Sequence, residues 1–274
     1  MNFILENLSL ETTRRCNSRC NHCMRGPSQN IDLTKDIVDS LLDNNSINYI
    51  GELIFSGGEP TLNSEIIIYT LNKLMSKKIY VEYMTIVTNG QIFNLELIEA
   101  FNQFNDYLND LNCGIVLYHI DIVFSNDQFH ATFNPDVEKK YRVYAKGIHF
   151  THTGLIDESQ IHKTGYATFG KKFNYQLEDI RYWKLGLDDD EVEIMPAEII
   201  LTSNDVWVRS VLYITANGYI TTTGDGAYVD MDNMNMGHIS NARIEELLIK
   251  YGKPIRASLT NDNDNNSLVK KLSI

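Results

Sequence analysis

The sequence predicts an α/β protein: a parallel sheet curled into a full or partial barrel, followed by a smaller α+β extension. Three observations predict it. Strand-like and helix-like segments alternate through the first two thirds of the chain, and parallel neighbours need crossover helices. Cys16, Gly57, Asn89 and Ser125 each stand just after a strand-like segment, where ligand sites gather in parallel α/β folds. With 274 residues, 43% of them hydrophobic, the chain can bury one large core and carry a small appendage.

The elements follow in order. Residues 9–13 end a short first strand. Thr34 fits an N-cap, with Ile37, Val38, Leu41 and Leu42 as the apolar face of the first helix. Residues 49–56 read as a buried strand running into Gly57-Gly58. Asn63 or Ser64 opens a second helix to about Lys77, with Ile67, Leu71, Leu74 and Met75 inward. Residues 79–88 form the next strand, stopped by Asn89-Gly90. A third helix over residues 94–108 carries Leu97, Ile98, Phe101 and Phe104. Then come a long strand at 113–125, a helix at 135–146 and a strand at 147–153. Beyond residue 155 the pattern weakens. Residues 193–202 and 206–223 look like strands, the second containing the hairpin signal Ala216-Asn217-Gly218. Residues 242–251 resemble a final helix, and the Asn- and Asp-rich tail at 260–267 is expected to be mobile. The expected division is a barrel core over 1–205, an extension over 206–260 and a tail over 261–274.

Composition narrows the partners. A formal charge of −12 argues against a phosphate-backbone surface, which needs clustered Lys and Arg. Arg14, Arg15, Arg19 and Arg25 surround three cysteines; they are either solvated loop charge or groups that neutralise an anion or hold a carboxylate. No run approaches 18 apolar residues, so no membrane span is expected. The first residues carry Glu6 and Glu11 and no basic stretch, unlike a secretory signal. A cytoplasmic protein is the expectation. Residues 187–193 hold five acids, read as a solvated loop.

Of the four cysteines, three lie within Cys16-Asn17-Ser18-Arg19-Cys20-Asn21-His22-Cys23. A disulfide scaffold would spread them along the chain. Three close thiolates can hold three corners of a cubane cluster and leave its fourth iron open for chemistry. The alternative is a structural zinc site made with His22. Cys113 stands apart and reads as a small buried residue.

Ser56-Gly57-Gly58-Glu59-Pro60 follows the second strand. Two glycines allow close backbone approach to a ligand, and a carboxylate suits an ammonium group. Together the cysteine spacing and this segment resemble the radical S-adenosylmethionine superfamily over roughly residues 8–155, with His22 filling the aromatic position before the last cysteine. Thr88-Asn89-Gly90 and Ser125-Asn126-Asp127 resemble its later strand-end motifs, the second continuing to His130.

The resemblance implies a partial (β/α)6 barrel. It implies a four-iron, four-sulfur cluster on Cys16, Cys20 and Cys23. Ser56, Gly57, Gly58 and Glu59 would hold the methionine end of S-adenosylmethionine, and Asn89, Ser125 and Asp127 its carboxylate and ribose. It also implies reductive cleavage of that cofactor to a 5′-deoxyadenosyl radical that removes hydrogen from substrate, with an electron donor such as flavodoxin or ferredoxin.

Residues 214–220 and Met236-Gly237-His238-Ile239 resemble a shortened SPASM-like extension of peptide-modifying radical enzymes. No cysteine follows Cys113, so auxiliary clusters are not expected; residues 221–223 stand where the first such cysteine would fall. Thr164-Gly165-Tyr166-Ala167 lies between barrel and extension, as an ordinary loop or a substrate-side wall. Three functions remain open: hydrogen abstraction from a peptide or protein, the same chemistry on a small molecule such as a nucleoside or cofactor precursor, and a non-catalytic zinc or iron-sulfur binding protein.

Overall fold

The computed structural model describes residues 2–112, 119–130, 133–155, 198–201, 205–221, 224, 226–233, 235–244, 246–247 and 253–256. Cys113, the segment 164–167, the acidic run 187–193 and the tail lie outside the described residues.

The parallel part is built from β1 (Asn2–Thr13), β2 (Ile47–Gly57), β3 (Tyr80–Thr88), β4 (Ile120–Phe124) and β5 (His149–His152), interleaved with α1 (Lys35–Asp43), α2 (Ser64–Lys77), α3 (Leu95–Asn112) and α4 (Pro135–Tyr144). Each strand from β1 to β5 pairs parallel with the next. Three further strands, β6 (Glu198–Leu201), β7 (Asp205–Ile214) and β8 (Ile220–Thr221), precede α5 (Tyr228–Asn233) and β9 (Lys253–Arg256). The sheet order is β5-β4-β3-β2-β1-β7-β6-β9, with β8 against β7. The fold is a mostly parallel α/β sheet flanked by a C-terminal region.

The helices start where local chemistry supplies a cap. Thr34 Oγ1 accepts from the Ile37 N–H, Asn94 Oδ1 from Leu97 and Asn134 Oδ1 from Asp136, satisfying donors that a helix start leaves open. α2 ends at Lys78, which takes the left-handed conformation (φ 55°). The helices bury Val38, Leu41, Ile67, Leu71, Ile98, Phe101 and Tyr141 in one core with Leu8, Leu53, Phe55, Met84, Ile86, Ile122 and Phe124 from the sheet. Each such side chain contributes roughly 1.5–3 kcal/mol on burial.

Strand alternation places the remaining residues on the other, concave face. There Ile54 is in register with Thr85, Thr85 with Asp121, and Asp121 with His149.

One expectation is corrected. β1 runs twelve residues from Asn2, longer than the expected 9–13; Phe3, Ile4, Leu5 and Leu8 are all buried, because β1 lies between β2 and β7. β4 is Ile120–Phe124, and residues 113–118 of the strand expected at 113–125 lie outside the described residues. Residues 206–223 hold β7 and β8, paired antiparallel around the expected hairpin turn. β7 pairs parallel with β1 and so extends the barrel sheet. α5 and β9 had no clear sequence signal: α5 is six residues long, below a reliable helical period.

Candidate active site

The three cysteines sit on the loop between β1 and α1, and that loop is pinned shut at its base. Arg14 N–H donates to Ile31 O (2.8 Å), Gln29 N–H to Arg14 O (3.0 Å) and Leu33 N–H to Thr12 O (2.9 Å). Arg15 Nε donates to Asp32 Oδ1 at 2.8 Å, and the Cys16 N–H to Ser28 Oγ at 3.0 Å. The thiols are therefore presented from a closed loop. Burial pushes the Cys20 thiol up to about 12, with added repulsion from Cys23, Cys16 and Asp127. Burial raises Cys16 as well.

Ser56, Gly57, Gly58 and Glu59 lie beside that loop at the end of β2. Gly58 N–H donates to Thr13 O (2.7 Å) and Glu59 N–H to Arg15 O (2.8 Å). A Cβ on Gly58 would stand 2.3 Å from Arg15 O and 3.1 Å from Cys16 Cβ, and Gly57 takes φ 144° with only 2.3 Å to Thr13 O. Only glycine lets the two backbones touch here. Gly58→Ala is expected to push Cys16 out of place, lower iron content after reconstitution and cost about 1–3 kcal/mol of stability by overpacking. Iron analysis and a denaturation curve check this; full iron loading would contradict it.

Glu59 is fully buried. Its Oε1 accepts from Thr61 N–H (3.1 Å), Thr61 Oγ1 (2.6 Å) and Thr88 Oγ1 (2.7 Å), and its Oε2 from Asn89 N–H (2.7 Å). The carboxyl thus braces the ends of β2 and β3 together, a role the sequence reading missed. Its second oxygen keeps a lone pair for a ligand donor. Burial raises its pKa despite those donors.

Asn89 Nδ2 reaches Asn17 Oδ1 (2.7 Å) and Ser18 Oγ (3.2 Å), tying the end of β3 to the cysteine loop. Ser125 N–H donates to Thr88 O at 2.8 Å. Asp127 is placed differently from the expectation. Its Oδ1 accepts from the Phe129 N–H (2.9 Å), and its Oδ2 is 2.7 Å from His130 Nδ1 and 3.2 Å from Thr153 Oγ1. Both oxygens are used by the loops after β4 and β5, and Asp127 orients His130. Burial raises the Asp127 carboxyl, but the Phe129 N–H and His130 outweigh it and hold it below the usual range. His130 also packs edge-on against His22, with centroids 4.8 Å apart.

These groups converge on one cavity of about 420 Å³ lined by Cys16, Ser18, Cys20, His22, Cys23, Met24, Arg25, Ser56, Gly57, Gly58, Glu59, Val87, Asn89, Ser125 and His130. The donor set fits a cationic cluster. Three partly buried thiols on one loop oppose one another's ionisation, and iron relieves that opposition. His22 Nδ1 is buried without a partner in this wall. The same wall also admits a second ligand set, since His22, Asp127 and His130 offer ligand atoms within 4.8 Å of one another.

Of the two readings of Arg14, solvated loop charge is excluded, and the carboxylates it holds are the protein's own Glu11 and Asp232. Arg14 is fully buried and ties the C-terminal segment to β1. Its Nε lies 2.9 Å from Glu11 Oε2, its Nη1 and Nη2 lie 2.8 and 2.7 Å from Asp232, and Nη1 reaches Gln29 Oε1 at 3.1 Å. Glu11 Oε2 also accepts from the Ala216 N–H at 2.8 Å. Tyr228 stacks on the Arg14 guanidinium, and its N–H donates to Arg25 O at 3.2 Å. Burial alone would lower the Arg14 pKa; Asp232 and Glu11 outweigh it and raise it. The hairpin turn is held by Gly218 (φ 84°), and Tyr219 bridges to His238, so the expected hairpin and the Met236-to-Ile239 segment pack together. α5 and this turn form the outer support of the cysteine loop.

Burial raises Asp232, but the hydrogen bond from Arg14 outweighs it and holds the carboxyl below its ordinary 3.8. A depressed acid contributes stability that is present above the unfolded pKa and is lost as pH falls through the folded one. The protein is therefore expected to lose stability on acidification below about pH 4, and Asp232→Asn to flatten that slope. Denaturation midpoints at a series of pH values check it.

Residues 10–142 match the model of the Radical SAM superfamily. A search of curated proteins finds no match. Among solved structures the chain is similar to native anSMEcpe with bound AdoMet, at 13% identity and a TM-score of 0.53, over 89% of this chain and 80% of that one. It is similar to native anSMEcpe with bound AdoMet and Cp18Cys peptide at 12% identity and a TM-score of 0.52, over 99% and 84%. It is similar to Streptococcus suis SuiB bound to precursor peptide SuiA at 14% identity and a TM-score of 0.50, over 92% and 66%. Among the described residues no helix is long and apolar enough to cross a membrane. The segment at 10–142, with its three-cysteine cavity at the strand ends, is a radical SAM domain, and the protein is an enzyme whose cofactors are S-adenosylmethionine and a four-iron, four-sulfur cluster.

Proposed function

We propose that this enzyme abstracts a hydrogen atom from a peptide or protein side chain, as a post-translational modification. One observation carries the reading. The likeness to a peptide-bound structure extends over 99% of this chain, well past the domain at residues 10–142, so it includes the hairpin and α5 that pack on the cysteine loop. When bound, the cluster supplies the electron that cleaves S-adenosylmethionine. The chain's own residues do the holding. Cys16, Cys20 and Cys23 take three corners of the cluster. The backbone at Ser56, Gly57 and Gly58, with Glu59 Oε2, receives the methionine ammonium. Asn89 and Ser125 face the rest of the cofactor, and Asp127 fixes His130 beside it. A one-electron donor such as flavodoxin or ferredoxin completes the partners.

The test uses reconstituted enzyme with S-adenosylmethionine and size-selected extracts, reading 5′-deoxyadenosine. A peptide-sized fraction should raise the yield, and protease treatment of that fraction should abolish the rise. A rise that survives protease would point to a small-molecule substrate and contradict the proposal.

A further inference from the structure

We infer that the concave face of the sheet below the three-cysteine cavity binds a cationic nitrogen of the substrate, anchored by Asp121 with Glu52 beside it. This deepens the proposed function and rests on it. The cavity residues Ser56 and Val87 lie one residue before the ends of β2 and β3, and Ser125 directly follows β4. Side chains at every second position share a face, so Ser56 continues down through Ile54 to Glu52, Val87 through Thr85 to Tyr83, and Ser125 through Val123 to Asp121. Four residues of strand span about 13 Å. The floor of the face thus lies about the length of a four-residue extended peptide segment from the cofactor cavity.

Asp121 is only 8% exposed, yet its Oδ1 is buried with no hydrogen-bond partner. Its Oδ2 accepts from Thr151 Oγ1 at 3.0 Å, and the Tyr83 hydroxyl bonds the same carboxyl. His149 Nδ1 lies 3.4 Å from Oδ1, without hydrogen-bond geometry, and its side chain is 46% exposed. Leaving a buried carboxylate oxygen unmatched is costly, and a cationic donor is its strongest match. Glu52 lies across the same face: its register partner is Tyr83, and its Oε1 accepts from Thr85 Oγ1 at 3.0 Å. Burial and the charges of Asp121 and Glu52 together hold Tyr83 up at about 12, so both carboxylates act on one hydroxyl. Glu52, Ile54, Tyr83, Thr85, Val87 and Thr151 are partly exposed. Among the described residues no Lys or Arg pairs with Asp121 or Glu52. Two carboxylates on a partly open face, one with a buried oxygen that accepts no hydrogen bond and has the half-exposed His149 imidazole beside it, suit an ammonium or guanidinium group.

The experiment uses the full reconstituted enzyme with S-adenosylmethionine and four probes: Nα-acetyl methylamides of lysine, arginine, norleucine and glutamate. Binding is read by ligand-observed NMR, and 5′-deoxyadenosine formation in parallel. The lysine or arginine probe should bind at least about tenfold tighter than norleucine, with glutamate weakest; whichever cation wins identifies ammonium or guanidinium. The isosteric Asp121→Asn should abolish that preference, and Glu52→Gln should reduce it with the fold undisturbed. Equal binding of lysine, arginine and norleucine, or a cation preference unchanged in both variants, would overturn the inference. If cofactor cleavage persists without a cation preference, this inference fails and the radical reading stands. If cleavage is absent with a full cluster, the proposed function fails whatever the probes do.

Discussion

Cys20→Ala is expected to remove the cluster and, with it, cofactor cleavage. Reconstituted wild type should be brown, with absorbance near 400 nm; the variant should be nearly colourless. Its 5′-deoxyadenosine yield should fall by roughly two orders of magnitude or more, since even outer-shell changes at metal sites cost 10–100-fold. The size follows from geometry. Cys20 shares a closed loop with Cys16 and Cys23, and all three line one cavity. Two thiolates cannot retain a cubane against exchange with solvent. The loop itself should survive, because it is pinned by Arg14, Arg15 and Ser28 and by no bond to the Cys20 side chain. Circular dichroism should therefore match wild type. Cys113→Ala, at the cysteine read as structural, should leave iron content unchanged. Retained iron in the Cys20 variant would contradict the ligand assignment.

Arg14→Met is expected to destabilise the protein by about 3–5 kcal/mol, the usual cost of breaking a buried ion pair and leaving one charge behind. Arg14 and Glu11 side chains are both 0% exposed. Removing the guanidinium leaves Glu11 with only the Ala216 N–H and the Tyr213 hydroxyl. The melting temperature should drop by roughly 6–20 °C for a chain of this size. The double variant Arg14→Met, Glu11→Gln should lose much less than the sum of the two single losses, because the stranded charge is gone. Additive losses would mean that the two residues do not form a coupled pair. Iron loading should suffer too, since Arg14 begins the cysteine loop and ties it to Asp232.

The difference between what the sequence revealed and what it hid follows distance along the chain. The cysteine loop and Ser56 to Glu59 were legible because their chemistry is written in adjacent residues. The helix start at Thr34 was legible for the same reason. The Arg14–Asp232 pair joins residues 218 positions apart, so the sequence left Arg14 among four arginines with the same two readings and did not single out Asp232. The parallel pairing of β7 with β1 was equally invisible, because a strand does not carry the identity of its neighbour. Asp127 shows a subtler limit. Its position after β4 was legible, but not that the Phe129 N–H, Thr153 and His130 occupy its oxygens. Glu59 combined both: its place was clear, while its bonds to Thr61, Thr88 and Asn89 required the folded ends of two strands.

The most direct measurement is anaerobic incubation of the iron-loaded enzyme with dithionite and S-adenosylmethionine, with 5′-deoxyadenosine read by mass spectrometry beside the Cys20→Ala control. The account predicts 5′-deoxyadenosine and methionine in equal amounts from wild type and background from the variant. A fully loaded cluster that yields neither product, with or without a peptide-sized fraction, would contradict it.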